Sequence, residues 1–113
     1  MMKMDADNAI ARLGNNRKLY SMLLKKFDGS AMLETLRNEL ANGSAKGVQD
    51  QAHAIKGTAS NLSLADLCDK AGAIESALKN GDSGTLNEID LSEITASVAA
   101  TAEAIEAWLR ENE

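Results

Sequence analysis

The sequence has no proline, one cysteine, one histidine and a single each of Phe, Tyr and Trp. Strands favour aromatic and β-branched residues, so the scarcity of aromatics and the abundance of Ala, Leu, Lys and Glu point to an all-α fold. Cys68 has no partner for an internal disulfide, which suits a reducing, cytoplasmic setting. No apolar run approaches the roughly 18 residues of a membrane span, and no signal-type apolar core is present. Positive charge is also in deficit, with 12 Lys and Arg against 17 Asp and Glu and a net charge of -5. Such a field repels phosphate backbones and anionic lipid, so neither nucleic acid nor a membrane surface is an expected partner. One histidine and one cysteine supply neither a metal-ligand cluster nor an activated catalytic pair, and no glycine-rich strand–loop–helix phosphate cradle exists. No metal or cofactor of the chain's own is expected.

What is present reads as one domain of 113 residues, large enough to bury a single core. Asp5 is the expected N-cap of a short helix reaching Leu13 and ended by Gly14. Asn15 or Asn16 caps a second, with a stripe at Leu19, Met22, Leu23 and Phe27. The turn signal Asp28, Gly29, Ser30 predicts a break near Gly29 before a new stripe at Met32, Leu33, Leu36 and Leu40. Ser44 caps a strongly amphipathic helix with Val48, Ala52, Ile55, Ala59 and Leu62 on its apolar face. After a turn at residues 62–64, Leu64, Leu67, Ala71, Ile74 and Leu78 repeat that spacing up to a loop at "NGDSG", residues 80–84. A last helix is expected from about Leu86 to Glu111, burying Ile94, Val98, Ile105 and Leu109. Short loops make successive long helices antiparallel, so the last four form an up-down-up-down four-helix bundle with the two N-terminal helices packed over one end or flank.

His53 lies about 100° around its helix from the core residue Ala52, at the edge of the core. Gln49 at i−4, Lys56 at i+3, Gly57 at i+4 and Ser60 at i+7 share its face. A neutral imidazole keeps a lone pair near pH 7 and is a competent phosphoryl acceptor, and a lysine one turn away can offset charge on phosphoryl oxygens. Gly57 costs a helix interior roughly 0.5–1 kcal/mol relative to Ala. Either something approaches that backbone closely or a tight helix crossing requires it. If the hairpin turn centres near residue 64, facing positions sum to about 128, which sets Glu75 opposite His53. There its carboxylate can accept from Nδ1–H and leave Nε2 free. The competing reading pairs Glu75 with Lys79 on its own helix surface. Gly72 is expected to permit close helix packing, and Cys68 and Trp108 to be core or bundle-end residues.

"AHAIKGTASNLSLADL" followed by "AIESALKNGD" resembles the histidine-containing phosphotransfer domain, the HPt module of multistep phosphorelays. The family pattern of His, any residue, Ile or Leu, Lys, Gly, Ser or Thr, then Ala or Ser is met at His53, Ile55, Lys56, Gly57, Thr58 and Ala59. "AIARLGNNRKLYSMLLKKF" resembles the family's N-terminal segment. Ser60 and Ser63 stand where many members carry glycine, and Glu75 where some have glutamine; Ser63 remains able to cap the following helix.

The resemblance implies that His53 is the phosphorylated residue. It would take a phosphoryl group from an aspartyl phosphate on one receiver domain, of a response regulator or hybrid sensor kinase, and pass it to another. Mg²⁺ and the aspartate would belong to the receiver, Gln49, Gly57 and Ser60 would lie on the docking face, and the chain would act as a monomeric carrier without ATP-dependent turnover. Two rivals stand beside this reading: an HPt-fold adaptor that docks without phosphotransfer, and the phosphorylatable domain of a chemotaxis-type kinase.

Overall fold

The computed structural model describes residues 4–79 and 86–112. Among them lie six helices: α1 (Ala6–Arg12), α2 (Arg17–Lys26), α3 (Gly29–Ala41), α4 (Ala45–Asn61), α5 (Ala65–Ala77) and α6 (Ser92–Asn112). No strand forms among the described residues beyond an isolated antiparallel bridge between Met4 and Leu64.

Side-chain caps start the first four helices by satisfying N–H groups that have no partner within the helix. Asp5 accepts from Asn8 N–H at 3.1 Å, Asn16 from Leu19 at 2.9 Å, Asp28 from Ala31 at 3.0 Å and Ser44 from Gly47 at 2.9 Å. Asn16, rather than Asn15, thus caps α2; Asn15 takes a left-handed conformation with φ 63°. The chain breaks before Gly29 as the turn signal predicts, with Phe27 extended and Asp28 opening α3.

The apolar stripes become the core. Val48, Ala52, Ile55, Ala59 and Leu62 are buried against Leu64, Leu67, Ala71, Ile74 and Leu78. Each large aliphatic side chain among them contributes roughly 1.5–3 kcal/mol on burial. α4 packs most extensively on α5; α3 also touches α4 and α6, and α5 touches α6. The α4–α5 pair is antiparallel, because His53 faces Glu75 while Lys56, further along α4, faces Gly72, earlier on α5.

Three expectations change or fall outside view. The last helix begins at Ser92, not near Leu86. Asp90 accepts a hydrogen bond from Ser92 N–H at 2.9 Å, and this turn chemistry overrides the apolar spacing that ran back to Leu86, which is buried outside the helix. Ile94, Val98 and Ile105 are buried there and Leu109 is half-buried, but the polar Ser97 and Thr101 complete the same stripe. The loop expected at residues 80–84 lies outside the described residues.

Ser63 does not cap α5. It adopts a left-handed φ of 55°, and Leu64 occupies the N-cap position without a side-chain bond. Leu64 N–H reaches back to Ala59 O at 2.8 Å and Ser63 N–H to Ser60 O at 3.1 Å, the bond pattern that closes a helix whose C′ residue is left-handed. Residue 63 is therefore a position whose left-handed backbone glycine would adopt without strain.

The N-terminal part is fastened to this same turn. Asp5 N–H donates to Ser63 O at 3.0 Å. Arg12 Nη2 donates to Ser60 O at 3.0 Å and to Ser63 Oγ at 2.6 Å. Ser63 Oγ in turn donates to Asn8 Oδ1 at 3.3 Å. Buried Tyr20 donates its hydroxyl to Leu62 O at 2.8 Å and meets the edge of Trp108 at 5.1 Å between ring centroids. Burial, reinforced by Asp5 and opposed by Arg12, pushes the Tyr20 phenol up to about 12.

Candidate functional site

The site is built on the antiparallel α4–α5 pair. Burial of Ala52 and Ile55 fixes the rotation of α4, and that rotation turns the intervening His53 to the surface, where its side chain is 72% exposed. The partner helix is fixed by Ala71 and Ile74 in the same way, which leaves Glu75 at the edge of the groove with its side chain 21% exposed.

The Glu75 carboxylate spans two side chains of α4, those of His53 and Lys56. Its Oε2 lies 2.6 Å from His53 Nδ1, and its Oε1 lies 3.6 Å from Lys56 Nζ. It faces across to α4 rather than along its own helix to Lys79, which decides between the two readings of this residue. Burial pushes the Glu75 carboxyl up, but the hydrogen bond and charge of His53, with those of Lys56, outweigh it and hold the group below its ordinary value. An ionised carboxylate only accepts hydrogen bonds, so Nδ1 carries the proton in this contact. In the neutral ring Nε2 is then the nitrogen with the lone pair, on a side chain open to solvent.

The rest of the expected face is in place. Gly57 is exposed, and a Cβ built on it would meet nothing within 4 Å. The helix-crossing account of this glycine therefore fails, because among the described residues no neighbour approaches it. Gln49 is half-buried one turn before His53, and Ser60 is exposed one turn beyond Gly57. The Ser60 carbonyl is taken by Arg12.

One residue near the site escaped the sequence reading, and another was read for a different role. Arg12 sits in the last turn of α1, where a basic residue ordinarily complements the helix dipole, and nothing in local spacing connects it to Ser60. Gly72 is different: a Cβ there would lie 3.6 Å from Lys56 Cδ and 3.8 Å from Lys56 Cε. It lies beneath the lysine stem, not at a close backbone crossing. The register that pairs His53 with Glu75 pairs Lys56 with Gly72, so the same arithmetic carried one turn further finds it.

Among the described residues no group of three or more His, Cys, Asp or Glu side chains is arranged to hold a metal ion. Among the same residues no helix is long and apolar enough to cross a membrane. Cys68 is a free thiol, half-buried against the core.

Comparison with known proteins bears on the fold and the family. The solved structure of histidine-containing phosphotransfer protein B from Pseudomonas aeruginosa PAO1 superimposes with a TM-score of 0.76, covering 96% of this chain and 95% of that one at 23% identity. At that identity the likeness speaks for the all-helical fold. No curated protein matches the sequence. The family model of the Hpt domain matches residues 26–108. Domains of this family are phosphotransfer carriers of phosphorelays and interact with receiver domains. Since the match runs from the last residue of α2 to the final turns of α6, and so through every residue of the His53 face, the chain belongs to the Hpt domain family.

Proposed function

We propose that this chain is a monomeric, cytoplasmic phosphoryl carrier. In this reading residues 1–113 form one domain and α3, α4, α5 and α6 form its four-helix bundle. His53 would take a phosphoryl group from an aspartyl phosphate of one receiver domain and hand it to an aspartate of another. The observation that carries the reading is the hold of Glu75 on Nδ1 at 2.6 Å beneath a side chain that is 72% exposed. It leaves Nε2 as the nucleophile on an accessible surface.

In the transfer step the Nε2 lone pair forms the bond to phosphorus while the phosphorus–oxygen bond to the receiver's aspartate breaks, and that carboxylate leaves with the bonding pair. The imidazole becomes a phosphorylated cation that keeps its Nδ1 proton on Glu75, whose negative charge stabilises it. The Lys56 ammonium offsets charge on the phosphoryl oxygens, which spread negative charge in the transition state. The reverse step delivers the group to a second aspartate. Mg²⁺ is supplied by the receiver, and no cofactor is held by this chain. Gln49, Gly57 and Ser60 line the docking face, with Gly57 admitting the receiver's loops to the backbone.

The test is incubation with a phosphorylated receiver and Mg²⁺. The protein gains an acid-labile, alkali-stable phosphoryl group, as a phosphoramidate requires, and His53→Ala gains none. Transfer that survives in His53→Ala overturns the assignment; a folded parental protein that accepts nothing from any receiver of its own organism returns it to the adaptor reading.

A further inference from the structure

Gly72 lies in the interior of α5, where glycine costs roughly 0.5–1 kcal/mol relative to alanine. Neither of the usual compensations applies. Its φ is not positive, and among the described residues no backbone or core atom of a neighbouring helix would meet its Cβ within 4 Å. What occupies the space is the stem of Lys56, with Cδ 3.6 Å and Cε 3.8 Å from where the Cβ would stand. The stem leaves α4, crosses α5 over Gly72 and ends with Nζ 3.6 Å from Glu75 Oε1. Glu75 is three residues beyond Gly72, hence on the same face of α5.

We infer that Gly72 is a positioning residue for Lys56: its missing side chain leaves a trough across α5 along which the lysine reaches the carboxylate that also holds His53. A lysine stem has four rotatable bonds and ordinarily samples many rotamers at a surface. Here its side chain is 49% exposed, because one flank lies in the trough while the ammonium remains at the rim. The trough has a definite depth. An alanine at residue 72 would be in ordinary contact with Cδ and Cε, whereas any longer side chain would occupy the path of the stem and lift Nζ away from Glu75. Only the consequence for phosphotransfer rests on the proposed function; the placement of Lys56 does not.

The experiment therefore reads placement and transfer separately on the parental protein and on Gly72→Ala, Gly72→Leu, Lys56→Ala and the double variant Gly72→Leu/Lys56→Ala. Placement is read from the titration midpoint of the Glu75 side-chain carboxyl by carbon NMR, with thermal melting to establish folding. Gly72→Ala is expected to keep the parental midpoint. Gly72→Leu is expected to melt cooperatively and to move the midpoint upward by the same amount as Lys56→Ala, with no further movement in the double variant. A folded Gly72→Leu with the parental midpoint overturns the inference, as does a double variant whose shift is the sum of the two. Single-turnover transfer from a phosphorylated receiver then falls by the same factor in Gly72→Leu, Lys56→Ala and the double variant. If the midpoints move as expected and all variants transfer at the parental rate, Gly72 still positions Lys56, and the phosphoryl role of Lys56 is what fails.

Discussion

The carboxylate of Glu75 joins His53 and Lys56 across two helices, with Oε2 2.6 Å from Nδ1 and Oε1 3.6 Å from Nζ. One acid thereby fixes an imidazole tautomer and anchors a cation. Replacing it separates the two effects. In Glu75→Gln the amide oxygen still accepts from Nδ1–H, so nitrogen NMR of the neutral ring should show the Nδ1–H tautomer retained, while the lost charge slows phosphorylation of His53. In Glu75→Ala both effects go: the tautomers mix, and transfer falls below that of Glu75→Gln. Equal rates for the two variants would refute the orienting role.

The same carboxyl predicts an acid dependence. Burial raises its proton affinity, but His53 and Lys56 lower it further, so its value in the folded protein lies below the ordinary 4.5. A carboxyl with a lowered folded value contributes stability that is complete above its unfolded value and is lost as pH falls through the folded one. The melting advantage of the parental protein over Glu75→Gln should therefore be largest at neutral pH and shrink once pH drops under about 4.5. A difference that stays flat from pH 7 to pH 3 would contradict the network.

Gly57 faces open space, so adding a side chain there should cost no packing. Gly57→Ala is expected to gain up to about 1 kcal/mol in denaturant unfolding, as in an exposed helix interior. Gly57→Leu should also remain folded, yet obstruct transfer to His53 by occupying the face that the receiver approaches. Parental transfer by a stable Gly57→Leu would mean that docking leaves this strip untouched.

Ser63 combines a strained backbone with a useful hydroxyl. Its φ of 55° costs a non-glycine residue about 1 kcal/mol, and its Oγ bonds Arg12 and Asn8 of α1. Ser63→Ala keeps the strain and loses both bonds, whereas Ser63→Gly loses the bonds and relieves the strain. Chemical denaturation should accordingly rank Ser63→Ala below Ser63→Gly by about 1 kcal/mol, and the reverse order would show the backbone to be relaxed.

Much of this architecture was legible because it is written in local terms. The caps Asp5 and Ser44, the break before Gly29 and the stripes from Val48 to Leu78 depend on residues a few positions apart, and the structure places them as read. The pairing of His53 with Glu75 was within reach too, since a three-residue turn between two helices fixes which positions face each other. What escaped had other causes. The start of the last helix depends on Asp90 bonding Ser92, a turn interaction weaker in pattern than the apolar spacing around it. Ser97 and Thr101 are polar residues on a buried stripe, so a reading by hydrophobicity passes over them. Arg12 reaches Ser60 and Ser63 across a long stretch of chain, and no periodicity encodes such a contact.

The turn at residues 60–64 receives the Met4 bridge, the Asp5 amide, the Arg12 guanidinium and the Tyr20 hydroxyl. This makes the segment intolerant of a change in length, more than of a change in composition. One inserted residue would rotate α5 by about 100° relative to α4, swinging Glu75 away from His53 while displacing the acceptors that hold α1 and α2. Among related chains, then, an insertion or deletion inside these five positions is a stronger mark of a lost site than most substitutions on the His53 face, even where histidine, lysine and glycine all remain.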